Sequence, residues 1–221
     1  MMIVEFARNP LDAVQGVRDG ATVMVGGFGD AGQPFELIDA LLEGGAGDLT
    51  IVNNNAGQGD RGLALLIQKG RVRKVICSFP RQSDSWHFDE AYRAGRIDLE
   101  LVPQGNLAER IRAAGAGIGG FFTPTGFGTV LAEGKETRII DGRGYVFEAP
   151  LHADIALIKA LKADRVGNLV YRKTARNFGP IMAAAARRTV AQVSEIVPTG
   201  AIDPEVVVTP GIYVNTIVEV Q

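Results

Sequence analysis

The chain predicts an α/β fold: an open, mainly parallel sheet with helices on both faces, plus a hairpin and extra strands in the C-terminal half. Three observations carry that expectation. Short apolar, β-branched runs alternate with stretches whose apolar residues recur at helical spacing. A glycine-rich turn joins the first such run to a proline placed where a helix would begin. The 221 residues, 46% of them hydrophobic, suffice to bury a full core in one domain spanning 1–221.

Each element has its own signal. Asn9 can cap a helix with Pro10 at its first position, and Leu11, Val14 and Val17 give it an apolar stripe that Gly20 closes. The strand at 22–25 follows. A helix over 34–43 sets Phe35, Ile38, Leu41 and Leu42 on one side, and Gly44-Gly45 stops it. Then come a strand at 49–52, a helix carrying Leu63, Leu66 and Ile67, and a strand at 72–78. A helical stretch around 88–93, with His87 as a helix-start residue, leads to a strand at 97–102. Alternation of this kind implies a parallel sheet with helices on both faces.

Past residue 103 the pattern changes. Residues 106–114 read as a helix with Leu107, Ile111 and Ala114 on its stripe. The glycine-rich stretch 115–128 reads as a long loop, and its Phe121, Phe122 and Phe127 argue against disorder. Runs at 138–140 and 145–148 flank Asp141-Gly142-Arg143-Gly144 as a hairpin. Residues 153–162 fit a helix or a buried strand, and the run 169–172 beyond the turn at 164–168 favours a β pair. A helix over 181–188 and strands at 189–197 and 212–220 close the chain.

Composition excludes several classes of function. A net charge of −2 gives no electrostatic case for nucleic acid, and the clusters Arg71-Val72-Arg73-Lys74 and Arg187-Arg188 read as solvated faces. No run of about 18 apolar residues exists, and the N-terminus lacks a signal-peptide pattern, so a soluble cytoplasmic protein with no membrane partner is expected. The single cysteine, Cys77, lies in an apolar run and reads as a buried structural thiol. With only His87 and His152 no metal site is expected, and no G-x-S-x-G elbow supports a serine triad.

The stretch Asp19-Gly20-Ala21-Thr22-Val23-Met24-Val25-Gly26-Gly27-Phe28-Gly29-Asp30-Ala31-Gly32-Gln33-Pro34 is the most informative. Such a strand–turn–helix can aim backbone N–H groups at a phosphate or an oxyanion; a tight turn with no ligand is the plain alternative. Gly27, Gly29 and Gly32 fit G-x-G-x-x-G. A dinucleotide site also wants a carboxylate about 20 residues on, at the end of the second strand. That strand runs instead into Asn53-Asn54-Asn55, which argues against a nicotinamide cofactor.

The same stretch resembles the signature of the class I coenzyme A-transferases, in which Asp-Gly, a short apolar strand, Gly-Gly-Phe and Gly-x-Pro follow in order. The likeness continues through Asn54-Asn55-Ala56-Gly57, through 103–112 and 122–129, and through Tyr171-Arg172-Lys173-Thr174-Ala175-Arg176-Asn177-Phe178, covering essentially the whole chain. The chain is similar to the α-type subunit of the 3-oxoacid branch. The resemblance implies a CoA-transferase-like fold and a ping-pong reaction. A glutamate carboxylate attacks an acyl-CoA thioester, and the resulting anhydride passes to an enzyme-bound CoA thioester.

One departure matters. The family's glutamate lies in a Ser-Glu-Asn-Gly motif on the β-type subunit, and no Glu-Asn-Gly occurs here; Ser194-Glu195 continues as Ile196-Val197. A partner carrying that motif is therefore implied, as an α2β2 assembly, with Glu36 and Glu109 as charge partners or exposed groups on helices. By the same resemblance Asn54, Asn55 and Gln104 are oxyanion donors, and all three follow strands at the edge where open sheets bind ligands. Turn hydrogen bonding is their plainer role. The resemblance assigns Gly26, Gly27, Phe28, Gly29, Asp30, Ala31 and Gly32 to the CoA thioester, which is substrate; no permanently bound cofactor is expected.

The run Cys77-Ser78-Phe79-Pro80-Arg81-Gln82-Ser83-Asp84-Ser85 is similar to the branch that uses succinyl-CoA and 3-oxoadipate. Arg81 there pairs with a distal carboxylate or is an ordinary loop arginine. Acetoacetate is the alternative acceptor, and a non-catalytic ligand-binding module on the same scaffold is the alternative class.

Overall fold

Residues 4–220 are described by the structure, a computed structural model. The chain enters through β1 (Glu5–Phe6) and α1 (Pro10–Ala13), then runs β2 (Thr22–Val25), α2 (Phe35–Glu43), β3 (Leu49–Val52) and α3 (Gly62–Gln68). β4 (Val72–Cys77), α4 (Trp86–Arg93), β5 (Asp98–Leu101) and α5 (Gln104–Gly115) complete the alternating half. The second half contains β6 (Phe121–Thr123), β7 (Thr137–Ile140), β8 (Arg143–Glu148), β9 (Ala153–Lys159), β10 (Lys162–Asp164) and β11 (Leu169–Val170). It closes with α6 (Gly179–Ala185), β12 (Ala186–Val193), β13 (Glu195–Val197) and β14 (Thr216–Glu219).

Eight strands form one sheet in the order β1-β14-β12-β9-β2-β3-β4-β5, and every neighbouring pair is parallel. Side chains alternate between its two faces, so the central strands feed two cores. Val23, Val25, Val75, Cys77, Ile155 and Leu157 pack with Leu37 and Leu41 of α2, Leu63 and Leu66 of α3 and Phe88 of α4. Met24, Ile76, Ala156 and Ile158 face the other way, onto Leu107 and Ile111 of α5 and Met182 of α6. Two small sheets flank the main one: an antiparallel β6-β8-β7 and a mixed β11-β10-β13.

The expected architecture stands, with local corrections. The first helix is four residues long rather than reaching Gly20, although Asn9 caps it as expected, its side chain accepting from Asp12 N–H at 2.8 Å. The stretch 115–128 is not all loop, because Phe121–Thr123 pairs with β8. The ambiguous run 153–162 is a strand, β9, and the helix expected over 181–188 ends at Ala185. Arg187 and Arg188 thus lie on β12. Arg188 is no solvated residue: its guanidinium donates to the carbonyls of Gln15 at 2.6 Å and Ala13 at 2.8 Å. The run 189–197 divides between two sheets, and the last strand begins only at Thr216.

Polar contacts tie the small antiparallel sheet to the edge of the large one. Glu100 on β5 receives Lys74 Nζ at 2.6 Å and Arg110 Nη1 at 2.8 Å. Arg110, on α5, also reaches Ala149 O at 2.9 Å and the buried Glu148 at 3.8 Å, and Glu148 receives Lys135 Nζ at 2.8 Å. Burial works to raise the Glu100 carboxyl, but the two cations and their hydrogen bonds outweigh it and hold the group below its ordinary 4.5. A carboxyl held low in the fold contributes stability that is complete above the unfolded value and is lost as pH falls through the lower folded value. Glu100→Gln is therefore expected to lower the urea midpoint at pH 7, with the deficit shrinking as pH drops below 4.5. A pH-independent gap between the two chains would contradict this.

Candidate active site

Because all eight strands are parallel, their carboxyl ends share one edge, and the residues that follow them are brought side by side. β3 ends in Asn53, Asn54 and Asn55, which are 0%, 3% and 1% exposed. Three consecutive buried carboxamides are costly unless each is bonded, so their partners define the site.

Asn53 is the anchor. Its Nδ2 donates to Val25 O at the end of β2 at 2.6 Å, and its Oδ1 accepts from Asn55 N–H at 2.9 Å. Asn54 Oδ1 accepts from Ser78 Oγ at 2.7 Å and from Gln104 Nε2 at 2.8 Å, joining the ends of β3 and β4 to the first residue of α5. Asn55 Oδ1 accepts from Gly57 N–H at 2.8 Å. With both oxygens engaged, the two Nδ2 groups are turned away from these contacts. Asn55 Nδ2 is buried and has no hydrogen-bond partner among the described residues. An unpaired buried donor costs about 1–3 kcal/mol, and native structures retain one where a ligand or an unseen group completes it.

The three residues expected at the site are therefore gathered, two of them in direct contact. Sequence reasoning leaves Asn53 and Ser78 without a role. The run of three asparagines is the available signal for the first, and nothing local marks the second.

The glycine turn sits beside this cluster at the end of β2. Phe28 and Ala31 exchange N–H···O=C bonds of 3.0 and 3.2 Å across Gly29 and Asp30, so the turn is a closed hairpin. Gly27 has φ +129°, and a Cβ there would lie 2.5 Å from Gln33 Cγ. Gly32 has φ +78°, and its Cβ would lie 2.4 Å from Ala175 O, so neither position admits a side chain without displacement. The amides of Gly26, Gly27, Phe28 and Ala31 bond within the chain. Those of Gly29, Asp30 and Gly32 make no such bond among the described residues. The Asp30 carboxylate holds Arg61, whose guanidinium lies 4.3 Å above the Phe35 ring.

The start of α2 is closed to an external anion. Gln192 fills it, its Oε1 accepting from Leu37 N–H at 3.3 Å and its Nε2 donating to Glu36.

Asn177 ties the glycine turn to the segment 172–176. Its Oδ1 accepts from Gly27 N–H at 3.1 Å and Phe178 N–H at 2.7 Å, and its Nδ2 donates to Ala31 O at 2.8 Å and Thr174 O at 2.9 Å.

No carboxylate hydrogen-bonds to Asn54, Asn55, Ser78 or Gln104 among the described residues. Glu36 is engaged by Gln192, and Glu109 pairs with Arg112 at 2.7 Å. Arg81 pairs with Asp89, and His87 with Asp60 at 2.7 Å. Burial pushes the Cys77 thiol up to about 12, against a smaller opposing effect of a backbone hydrogen bond from Phe79. Among the described residues no group of three or more His, Cys, Asp or Glu side chains is placed to hold a metal ion, and no helix is long and apolar enough to cross a membrane. A separate cavity of about 360 Å³ opens at the opposite edge, where Asp19, Asp154 and Arg188 stand near the strand starts.

Residues 8–220 match the family model described as Coenzyme A transferase, and the chain belongs to that family. It is 68% identical over 209 residues to the A-type subunit of a 3-oxoadipate CoA-transferase from Pseudomonas putida, covering 95% of this chain and 90% of that one. It is 64% identical over 220 residues to its namesake from Acinetobacter baylyi, covering 100% and 96%. The A-type subunit of a succinyl-CoA:3-ketoacid coenzyme A transferase from Xanthomonas campestris is 52% identical, covering 91% and 83%. Among solved structures, an acyl-CoA transferase from Escherichia coli O157:H7, crystallised as a thioester complex with CoA, superposes with a TM-score of 0.88 at 23% identity. That likeness covers 98% of this chain and 50% of the other, so this chain spans about half its length. The enzyme class expected from the sequence agrees with the family model and with these relatives, and the solved structure agrees with the expected fold.

Two outcomes follow from the geometry. Asn177→Ala removes four hydrogen bonds that hold two turns together, and it is expected to lower unfolding free energy by about 2–3 kcal/mol in urea melts; a change below about 0.5 kcal/mol would deny Asn177 that role. Cys77 is expected to ignore a neutral-pH disulfide reagent in the native protein and to react after unfolding; fast native reaction would contradict its burial.

Proposed function

We propose that this chain is the α-type component of a 3-oxoadipate CoA-transferase, moving CoA from succinyl-CoA to 3-oxoadipate together with a β-type partner. The observation that carries the reading is the buried, unpartnered Asn55 Nδ2 in a cluster of amide groups that no carboxylate bonds. Such a cluster offers donors and no nucleophile, which is half of the chemistry a CoA-transferase needs. The family membership and the identity to relatives named as A-type subunits support the division of labour.

The reaction follows from that division. A glutamate of the partner, expected in a Ser-Glu-Asn-Gly motif, attacks the succinyl-CoA carbonyl, and the C–S bond breaks to release CoA thiolate. The thiolate then attacks the glutamyl carbonyl of the mixed anhydride and expels succinate, leaving CoA on the glutamate as a thioester. The carboxylate of 3-oxoadipate attacks that thioester, CoA thiolate leaves, and it returns to the 3-oxoadipyl carbonyl, freeing the glutamate. Each step passes through a tetrahedral oxyanion. Asn55 Nδ2, Asn54 Nδ2 and the second Nε2 hydrogen of Gln104 are the donors for it, held by the bonds that occupy Asn54 Oδ1 and Asn55 Oδ1. An α2β2 assembly is the arrangement this reading implies.

Co-expression with the partner is expected to yield transferase activity that neither chain has alone, with 3-oxoadipate preferred over acetoacetate as acceptor. Turnover by this chain alone would overturn the division of labour, and a preference for acetoacetate would reassign the acceptor. In the assembled enzyme Asn55→Ala is expected to lower kcat about 100-fold. Near-normal turnover with the assembly intact would remove the oxyanion role.

A further inference from the structure

Asn54 and Asn55 both turn an Nδ2 group away from their partners, but the two carboxamides are fixed by different means. Asn55 Oδ1 accepts from the Gly57 backbone N–H at 2.8 Å. A backbone amide can only donate, so that contact admits an oxygen and rejects a nitrogen. Among the described residues no backbone N–H reaches the carboxamide oxygen of Asn54. It meets two side chains instead, Ser78 Oγ at 2.7 Å and Gln104 Nε2 at 2.8 Å.

Neither of these partners forces the choice by its type alone. A hydroxyl donates or accepts, and a glutamine carboxamide presents an oxygen or a nitrogen after a half-turn. If the Asn54 and Gln104 carboxamides both turned over, Asn54 Nδ2 would donate to Gln104 Oε1 in the same place. Asn54 would then show its oxygen where an oxyanion must form. Gln104 is exposed, and its long side chain can match whichever face Asn54 presents. The selection must come from Ser78.

Counting protons and lone pairs at Ser78 supplies it. Two acceptors lie within reach of the hydroxyl: Asn54 Oδ1 at 2.7 Å and Asn54 O at 3.3 Å. The backbone carbonyl already accepts from the N–H groups of Ser78 and Phe79, at 3.2 and 3.0 Å. Its two lone pairs are thereby used, and the hydroxyl proton is left with the side-chain oxygen. The same two N–H bonds pin the Ser78 backbone against the end of β3, so this short side chain stays beside Asn54. In the inverted arrangement the hydroxyl would accept from Nδ2 and its own proton would lose its acceptor, which disfavours that arrangement.

We propose that Ser78 is a positioning residue: its hydroxyl sets the orientation of the Asn54 carboxamide, and through it that of Gln104, so that both turn N–H groups toward the oxyanion. The inference rests on the transferase reading and adds the group that keeps its donors facing the reacting carbonyl. Ser78 acts through Asn54 and need not touch substrate. Without the hydroxyl the Asn54–Gln104 pair takes both orientations, and the inverted one sets an acceptor against developing negative charge.

The test uses this chain assembled with its partner and follows transfer from succinyl-CoA to 3-oxoadipate. Ser78→Ala is expected to lower kcat about tenfold, the equivalent of one hydrogen bond, with KM for succinyl-CoA within about twofold of wild type. Ser78→Thr keeps the hydroxyl and is expected to retain most of kcat. Unchanged kcat in Ser78→Ala overturns the proposal, and so does a Ser78→Thr variant no faster than Ser78→Ala. A double-mutant cycle shows whether the effect runs through Asn54. Added to Asn54→Ala, Ser78→Ala is expected to lower kcat by less than about twofold more, whereas a second loss of about tenfold would give Ser78 an independent role and overturn the proposal. A wild-type assembly that transfers nothing would sink the transferase reading, and the orientation is then read directly. With 15N-asparagine in this chain of the assembly, the side-chain amide signal that Asn54→Ala removes is expected to shift or split in Ser78→Ala. An unmoved signal would sink the role of Ser78 alone.

Discussion

In an all-parallel sheet every strand ends on the same edge, and everything functional in this chain depends on that constraint. Residues far apart in sequence (the glycine turn after β2, the asparagines after β3, Ser78 after β4 and Gln104 beyond β5) become neighbours because the strands before them share a direction. The helices packed on both faces hold the edge in register. The site is therefore a by-product of how the fold is wound, and its precision comes from the backbone carbonyls and carboxamides that lock one strand end to the next.

Asn53 illustrates how little separates a structural residue from a functional one. Its carboxamide is engaged at both its nitrogen and its oxygen, joining β2 to β3 and fixing the backbone of Asn55. The next two asparagines are bonded at their oxygens only. The difference lies in which atom finds a partner inside the chain. A carboxamide held by its oxygen presents N–H outward and serves an oxyanion; one held at both ends serves the fold. The buried, unmatched Nδ2 of Asn55 is destabilising in this chain taken alone, which is the cost expected of a group reserved for a reacting atom.

Much of this is legible in the sequence because parallel α/β proteins announce themselves through alternation. Strands β2 to β5 and helices α2 to α5 fall within a few residues of where the pattern puts them, since each has an apolar stripe or run bounded by glycine, proline or asparagine. The amide donors are legible because they follow strands directly. What escapes is structure that depends on distant partners. Phe121–Thr123 forms a strand only because β8 runs beside it, and the local glycines favour a loop. Arg187 and Arg188 continue a helical pattern, yet pairing with β9 and the carbonyls of Ala13 and Gln15 draw them into β12. The amide-rich start of α2 looks open to an anion in sequence, and Gln192, more than 150 residues later, closes it. The basic segment 172–176 shows as a motif, but its tie to the glycine turn through Asn177 emerges only from the fold.

Locating the covalent intermediate tests the central claim most directly. The assembled enzyme would be mixed with succinyl-CoA without acceptor, digested, and searched by mass spectrometry for the CoA-bearing carboxylate. The account predicts CoA on a single glutamate of the partner chain and none on this polypeptide. A CoA adduct on Glu36, Glu109 or any other carboxylate of this chain would contradict it.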